Sequence, residues 1–172
     1  METQGRAVPK AFRKPAWTIC PVVNGAGAAY IDGMTDPLST LHETHPEITE
    51  ESIALLVRTF YGRAREDDLI GPVFNHAVQD WEHHLSQISD FWSSMLLRTG
   101  RYDGRPMRPH LRLPLTPAHF DRWLALFEPT AREIFSADVA EAFILRARRV
   151  ADGFEMGIAT TRGEIARPRR SV

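Results

Sequence analysis

The sequence has 172 residues but only one cysteine, Cys20. Within one chain this excludes an internal disulfide, an iron–sulfur cluster ligated by cysteine and a cysteine-rich zinc site. Long apolar runs are also missing, because no stretch of about 18 consecutive apolar residues occurs, and we therefore expect no membrane-spanning helix. The scarcity of cysteine fits a reducing compartment, and we expect a cytoplasmic protein.

A large excess of one charge is lacking as well. The 21 lysine and arginine residues oppose 22 aspartate and glutamate residues and leave a formal net charge of −1. This balance gives no reason to expect nucleic acid or an anionic membrane as a partner. Hydrophobic residues make up 43% of the chain, which is enough to bury the core of one domain. We expect a monomer or a weak oligomer.

Periodic patterns are lacking in the first 47 residues, because prolines and glycines interrupt them. The interrupting prolines and glycines are Pro9, Pro15, Pro21, Pro37, Pro46, Gly5, Gly25, Gly27 and Gly33. We expect a low-order arm at residues 1–47, one helical domain at 48–160 and a basic tail at 161–172. An export signal is the alternative for the arm, since basic residues precede the short apolar stretch Trp17–Val23.

The first periodic segment predicts a helix that begins at Thr49, a residue type suited to the N-cap. Its apolar residues share one face: Ile53, Leu56, Val57, Phe60, Tyr61 and Ala64. The hydroxyl group of Tyr61 therefore points inward and either bonds a backbone carbonyl or donates into a pocket. After Gly71 and Pro72, we expect the pair Val73–Phe74 to be only an apolar insert in the connection.

A second helix is predicted from about Asp80 to about Thr99, before Gly100. Its apolar face consists of Trp81, Leu85, Ile88, Phe91, Trp92, Met95 and Leu96. His84 is the one polar residue on that face, and it is either a core histidine or a ligand. His83 points about 100° away from His84 and should lie on the flank of the helix.

The segment that follows is rich in proline, with four prolines between residues 106 and 117, so it allows only one short helical turn. Pro109 suits the first position of such a turn and would place His110 just inside it. A rigid apolar segment fixes the imidazole orientation that a metal ligand needs, although His110 could equally be a surface residue. Arg108 and Arg112 flank it and either pair with carboxylates of a ligand or remain solvated.

Two further helices are predicted after this segment, the first from Thr116 as N-cap and the second from Ser136. Trp123 lies on the apolar face of the first one, and its indole N–H needs an acceptor if it is buried. We expect Pro129 to interrupt and kink this helix. The apolar residues of the last helix are Phe143, Ala147, Val150, Ala151, Phe154 and Ile158.

These patterns predict an all-α protein in which His110 and His84 lie on either side of a core rich in aromatic residues. Haem needs such an environment: an axial imidazole, a wide apolar slot and polar donors opposite the ligand. Because no Cys-x-x-Cys-His motif occurs, haem would be held without a covalent bond. Two alternatives are a haem-free helical interaction module and a metal protein ligated by His83, His84 and His110. The absence of a His-Glu-x-x-His motif weakens a zinc hydrolase.

The order and spacing of six segments between residues 48 and 159 resemble the group III truncated haemoglobins. The segments are Phe60-Tyr61, Leu69–Asn75, Trp81–His84, Phe91–Leu96, Arg108–Pro114 and His119–Leu124. The resemblance implies a truncated globin fold, which is a two-over-two helical sandwich around b-type haem. It also implies that His110 is the proximal iron ligand, and that Tyr61, His84 and Trp123 lie on the distal side.

The same resemblance implies pocket positions for Phe60, Phe74, Ile88 and Trp92. It implies oxygen binding, binding of NO and CO, and oxygen transport as a broad family role. A protein that releases oxygen slowly suits NO-dioxygenase or peroxidase-like chemistry better than transport, and such turnover requires a reductase that the sequence does not identify. The long N-terminal arm and the arginine-rich tail depart from the family pattern.

Overall fold

The computed structural model describes residues 45–164, and every element of regular structure in that range is a helix. The helices are α1 (Glu50–Glu66), α2 (Gly71–Ala77), α3 (Trp81–Leu96), α4 (Met107–His110), α5 (Pro117–Ile134) and α6 (Ala137–Arg162). Helix α1 packs against α3 and α5, α5 packs against α6, and the short α4 contacts α6. The predicted all-α class is confirmed.

The start of α1 follows from a reciprocal capping box. The Thr49 hydroxyl accepts the backbone N–H of Ser52 at 3.2 Å, and the Ser52 hydroxyl accepts the N–H of Thr49 at 2.9 Å. The predicted apolar face of α1 is buried along its whole length. This face positions Tyr61 in the interior, as the sequence indicates.

The insert expected at Val73–Phe74 is wrong, because these residues belong to helix α2. Asp67 explains the difference, since its Oδ1 atom accepts the backbone N–H groups of Leu69 and Ile70 at 3.0 Å each just before the helix. Gly71 is needed here, because a Cβ atom at this position would lie 2.6 Å from the carbonyl oxygen of Arg65. A helix of seven residues is too short to show a clear apolar period in the sequence.

Helix α3 begins as predicted, with Asp80 as N-cap and its Oδ1 atom 3.0 Å from the backbone nitrogen of His83. It ends at Leu96, earlier than the predicted Thr99. Arg98 and Gly100 both have positive φ angles, of 57° and 68°, so the chain leaves the helix before Thr99.

The turn that carries His110 is placed differently from the prediction. Pro106 precedes α4, Pro109 is its third residue and His110 its last, so Pro109 is not the first residue of the turn. The turn closes through the N–H of Leu111, which donates to the carbonyl of Met107 at 3.1 Å. Both prolines are tolerated because the first turn of a helix needs no internal N–H donors.

Helix α5 starts at the predicted Thr116-Pro117 pair and continues through Pro129 to Ile134, so the predicted interruption does not occur. Pro129 removes only one N–H donor, and the neighbouring Thr130 hydroxyl donates to the carbonyl of Leu126 at 2.7 Å. Helix α6 begins after Ser136 as predicted and ends at Gly163, whose φ angle is 71°.

The predicted domain limits of 48 and 160 stay a prediction. The arm at 1–47 and the tail at 161–172 lie outside the described residues except for 45–47 and 161–164. Both parts bond to loops between the helices: Glu47 accepts the N–H of Ser136, just before α6, at 2.9 Å, and Arg162, the last residue of α6, donates to the carbonyl of Leu115, before α5, at 2.8 Å. In the described range, no helix is both long and apolar enough to cross a membrane.

Candidate functional site

Five of the predicted site residues form one aromatic cluster around Tyr61. The ring centroids of Tyr61 and His84 are 5.7 Å apart, and the rings are nearly perpendicular. Phe74 from α2 packs on the edge of Tyr61 at 5.5 Å. Phe60 lies between Tyr61 at 4.9 Å and Trp123 at 5.3 Å. The fold therefore brings side chains from α1, α2, α3 and α5 together around the Tyr61 ring.

Tyr61 is buried, with 6% of its surface exposed, and the indole N–H of Trp123 lies near enough to lower the pKa of its hydroxyl. Burial raises the pKa of the Tyr61 hydroxyl strongly, and the hydrogen bond from Trp123 opposes this only in part. Since indole nitrogen can only donate, the Tyr61 oxygen is the acceptor and its own O–H remains a donor. A hydrogen bond between the two side chains therefore runs from Trp123 to Tyr61, and Tyr61 stays protonated at physiological pH.

His84 carries a buried nitrogen atom that nothing in the structure satisfies. Its Nε2 atom is the only buried side-chain nitrogen or oxygen between residues 45 and 164 without a hydrogen-bond partner. Leaving such an atom unpaired costs about 1–3 kcal/mol. Burial lowers the pKa of His84, and the nearby charges of His110 and His83 lower it further, so the imidazole is neutral at pH 7. The site therefore presents a polar atom that a bound group would satisfy.

His110 is held in one tautomer by the backbone. Its Nδ1 atom lies 2.6 Å from the carbonyl oxygen of Pro106. Because a carbonyl oxygen only accepts, Nδ1 carries the proton and Nε2 carries the lone pair. The bond to Pro106 raises the pKa of His110, but burial lowers it by more. The lowered pKa keeps the ring neutral. A neutral imidazole whose Nδ1–H is bound to a carbonyl is the form that ligates metals through Nε2.

The His110 ring also stacks on Phe154 of α6, with ring centroids 4.2 Å apart and an angle of 26° between the planes. The sequence placed Phe154 only on the buried face of the last helix. Trp81 was likewise counted as an apolar residue, yet its ring lies 5.8 Å from His84 and the guanidinium group of Arg65 covers it at 4.3 Å. Periodicity finds both residues but cannot say which side chain each one meets.

The remaining predicted residues are distributed more widely. Trp92 is buried and stacks on Phe127 at 5.3 Å, while Ile88 is half-buried on the same helix, α3. Arg108 and Arg112 are exposed on either side of His110. Their assignment to a cofactor stays a prediction, as does the pocket role of Ile88 and Trp92.

The alternative of a metal site made from His83, His84 and His110 gains no support. His83 is exposed, as predicted for the flank of α3. Among the residues that the structure describes, no group of three or more histidine, cysteine, aspartate or glutamate side chains is arranged to hold a metal ion. His84 and His110 are half-buried, the first against Tyr61 and the second against Phe154, whereas His83 is exposed.

The residues present fit haem. Haem requires an axial nitrogen with a free lone pair, flat apolar surfaces and few polar atoms. His110 supplies the first, and the aromatic cluster around Tyr61 supplies the second. The unpaired Nε2 atom of His84 is a polar atom still lacking a partner.

Comparisons with known proteins agree with this chemistry. The chain is 37% identical to Group 3 truncated hemoglobin ctb from Campylobacter jejuni over 113 residues, which cover 63% of this chain and 89% of that protein. The crystal structure of group III truncated hemoglobin from Campylobacter jejuni matches with a TM-score of 0.60 and 36% identity, covering 65% of this chain and 92% of that chain. No family model matches the sequence.

The resemblance seen in the sequence is therefore confirmed, and so is the truncated globin fold. The two helix pairs, α1 with α3 and α5 with α6, are the layers of the predicted sandwich. On this identity, coverage and structural match, the chain belongs to the group III truncated haemoglobins and is a haem globin.

Proposed function

We propose that the chain holds b-type haem without a covalent bond, with Nε2 of His110 as the iron ligand. The observation that carries this proposal is the 2.6 Å contact between Nδ1 of His110 and the carbonyl of Pro106, which leaves the lone pair on Nε2. When bound, haem supplies an iron atom that takes diatomic ligands such as O₂, NO and CO. Arg108 and Arg112, exposed and next to His110 in the sequence, would pair with the haem carboxylates.

The opposite side of the site is assigned to Tyr61, Trp123 and His84. Tyr61 donates its O–H toward the ligand, while its oxygen accepts a hydrogen bond from the nearby Trp123 indole. Trp123 thereby positions and polarises the Tyr61 hydroxyl, and its N–H is a second donor if that bond opens. His84 offers the unpaired Nε2 atom, as a third donor when that atom is protonated or as an acceptor when it is not. Phe60 and Phe74 exclude water from these groups.

This arrangement favours slow ligand release. A hydrogen bond to a charged acceptor contributes about 1.5–3 kcal/mol, which slows escape by tens-fold or more. We therefore infer NO-dioxygenase or peroxidase-like turnover in preference to simple oxygen transport. Such turnover needs a reductase partner, and we place the protein in the cytoplasm as a monomer or weak oligomer.

Haem titration tests the proposal directly. Hemin is added to the haem-free protein, excess is removed, and the absorption spectrum is recorded in the ferric and ferrous states and under O₂ and CO. We expect an intense Soret band, a stoichiometry of one haem per chain, and haem that acidified organic solvent extracts. Absence of stoichiometric uptake, or haem that resists extraction, would refute the non-covalent b-type assignment.

The choice between the two chemistries needs a second experiment. The oxygenated ferrous protein is mixed with NO in one stopped-flow series, and the ferric protein is mixed with peroxide and an electron donor in another. Fast production of nitrate supports the dioxygenase, and fast donor oxidation supports the peroxidase-like activity. Free hemin at the same concentration is the control in both series, and rates equal to this control would refute turnover.

A further inference from the structure

The last third of α6 contacts the His110 segment at three places. Phe154 stacks on the imidazole, Gly157 receives the side chain of Met107, and Arg162 reaches the loop that follows His110. The fold prediction assigned none of these residues to a site, and residue 162 fell within the predicted tail.

Arg162 makes two hydrogen bonds to backbone carbonyls. Its Nη1 atom donates to the carbonyl of Leu115 at 2.8 Å, and its Nη2 atom donates to the carbonyl of Leu113 at 3.2 Å. The N–H of Leu113 in turn donates to the carbonyl of His110 at 3.2 Å. Through the backbone of Leu113, hydrogen bonds therefore connect the guanidinium group to the backbone of His110. The planar fork of an arginine suits two carbonyls better than the single ammonium of a lysine does.

Gly157 lies against the flexible end of the Met107 side chain. A Cβ atom at this position would lie 2.6 Å from Cε and 2.7 Å from Sδ of Met107, so the methionine side chain packs directly on the glycine backbone. Glycine inside a helix normally costs about 1 kcal/mol relative to alanine, and this packing gives a reason for it here. Met107 is the first residue of α4, and its carbonyl closes the turn that ends at His110.

We propose that Arg162 is a positioning residue for His110, acting with Gly157 and Phe154 to fix the orientation of the imidazole from α6. Phe154 fixes the plane of the ring, Gly157 fixes the start of α4, and Arg162 fixes the segment after it. The Pro106 carbonyl alone sets the tautomer of His110. It does not hold α4 against the core. This inference rests on the proposed role of His110 as iron ligand.

Resonance Raman spectroscopy of the ferrous, haem-loaded protein tests the inference through the iron–histidine stretching band. We expect Arg162→Ala to shift or broaden the band and to speed haem loss to a scavenger protein by about tenfold, as expected for losing hydrogen bonds from a charged donor. Arg162→Lys should lie between the wild type and Arg162→Ala. Gly157→Ala should shift the band without removing any hydrogen bond. It is the replacement test if Arg162→Ala does not fold.

Arg148→Ala is the matched control, because Arg148 is an exposed arginine of the same helix and pairs with Glu128 at 2.8 Å instead of with the His110 segment. We expect its band to be unchanged. An unshifted band in both Arg162→Ala and Gly157→Ala would overturn the inference, and so would an equal shift in Arg148→Ala. If the wild type shows no such band, or His110→Gly keeps it, the proposed ligand is wrong and not merely its positioning.

Amide hydrogen exchange in the haem-free protein provides a readout that does not depend on iron. The N–H groups of Leu111 and Leu113 close the turn around His110. We expect both to exchange faster in Arg162→Ala than in Arg148→Ala, because the loop opens locally more often. Equal exchange rates in the two variants would overturn the proposed positioning role of Arg162.

Discussion

Replacing Tyr61 by phenylalanine removes one oxygen atom from the buried cluster and leaves the ring contacts in place. The ring keeps its neighbours Phe60, Phe74 and His84, so the change isolates the hydroxyl group. Two effects follow. Under the proposed function, a ligand loses its main hydrogen-bond donor, and the indole N–H of Trp123 loses its proposed acceptor.

The magnitudes follow from the chemistry of these bonds. Loss of a donor to a charged acceptor, worth about 1.5–3 kcal/mol, should raise the O₂ dissociation rate about 10- to 150-fold. The unpaired N–H of Trp123 should lower the free energy of unfolding by about 1–3 kcal/mol unless it turns toward the ligand. The rate is measured in a stopped-flow instrument by mixing the oxygenated protein with CO.

Trp123→Phe is the companion variant, because it removes the N–H but keeps the Tyr61 hydroxyl. We expect a smaller rate increase than in Tyr61→Phe, and a double mutant whose effect is less than the sum, since the two groups act through one hydrogen bond. An O₂ dissociation rate in Tyr61→Phe equal to that of the wild type would refute the donor assignment. A larger increase in the O₂ dissociation rate in Trp123→Phe than in Tyr61→Phe would make Trp123, and not Tyr61, the main donor.

Three further predictions concern protonation and stability. The O₂ dissociation rate should stay constant from about pH 7 to 9.5, because burial raises the pKa of Tyr61 above its ordinary value near 10 and keeps the hydroxyl protonated; a rise within that range, followed by stopped flow, would contradict this. Asp67→Ala should lower the free energy of unfolding at pH 7 by about 2 kcal/mol, measured with urea, because the Asp67 carboxylate accepts the N–H of Leu69 just before α2 and binds Nε of Arg122 at 2.6 Å. Although burial raises the pKa of Asp67, its hydrogen bonds outweigh this and lower it, so the difference should persist above pH 4 and shrink as the pH falls further; a difference independent of pH would contradict it. His84→Leu should raise the thermal midpoint of the haem-free protein, because it removes an unpaired buried nitrogen, whereas a lowered midpoint would show that Nε2 has a partner there.

The sequence predicts the faces of the long helices well. In α1 the six residues assigned to the apolar face, from Ile53 to Ala64, are the buried ones. His83 and His84 separate as their angular spacing requires, one exposed and one half-buried. Such predictions succeed because helical periodicity is local and depends only on residue spacing.

Other features depend on contacts between distant segments and could not be predicted. Helix α2 depends on the turn that Asp67 forms just before it and on the close approach of Gly71 to Arg65, neither of which produces a periodic pattern. The bond from Nδ1 of His110 to Pro106 depends on where α4 starts, and the sequence misplaced that start. Arg162 looked like part of a solvated basic tail, because nothing near it in the sequence indicates the Leu113 carbonyl.

The most direct test of the haem site is the spectrum of His110→Gly with and without added imidazole. Haem is loaded into the wild type, His110→Gly and His84→Gly, and the ferrous spectra are compared with and without CO. We predict that His110→Gly loses the wild-type spectrum and regains it when imidazole fills the space, while His84→Gly keeps an iron–histidine spectrum. A wild-type spectrum in His110→Gly without imidazole would contradict His110 as the ligand, and loss of the spectrum in His84→Gly would place the ligand on the opposite side.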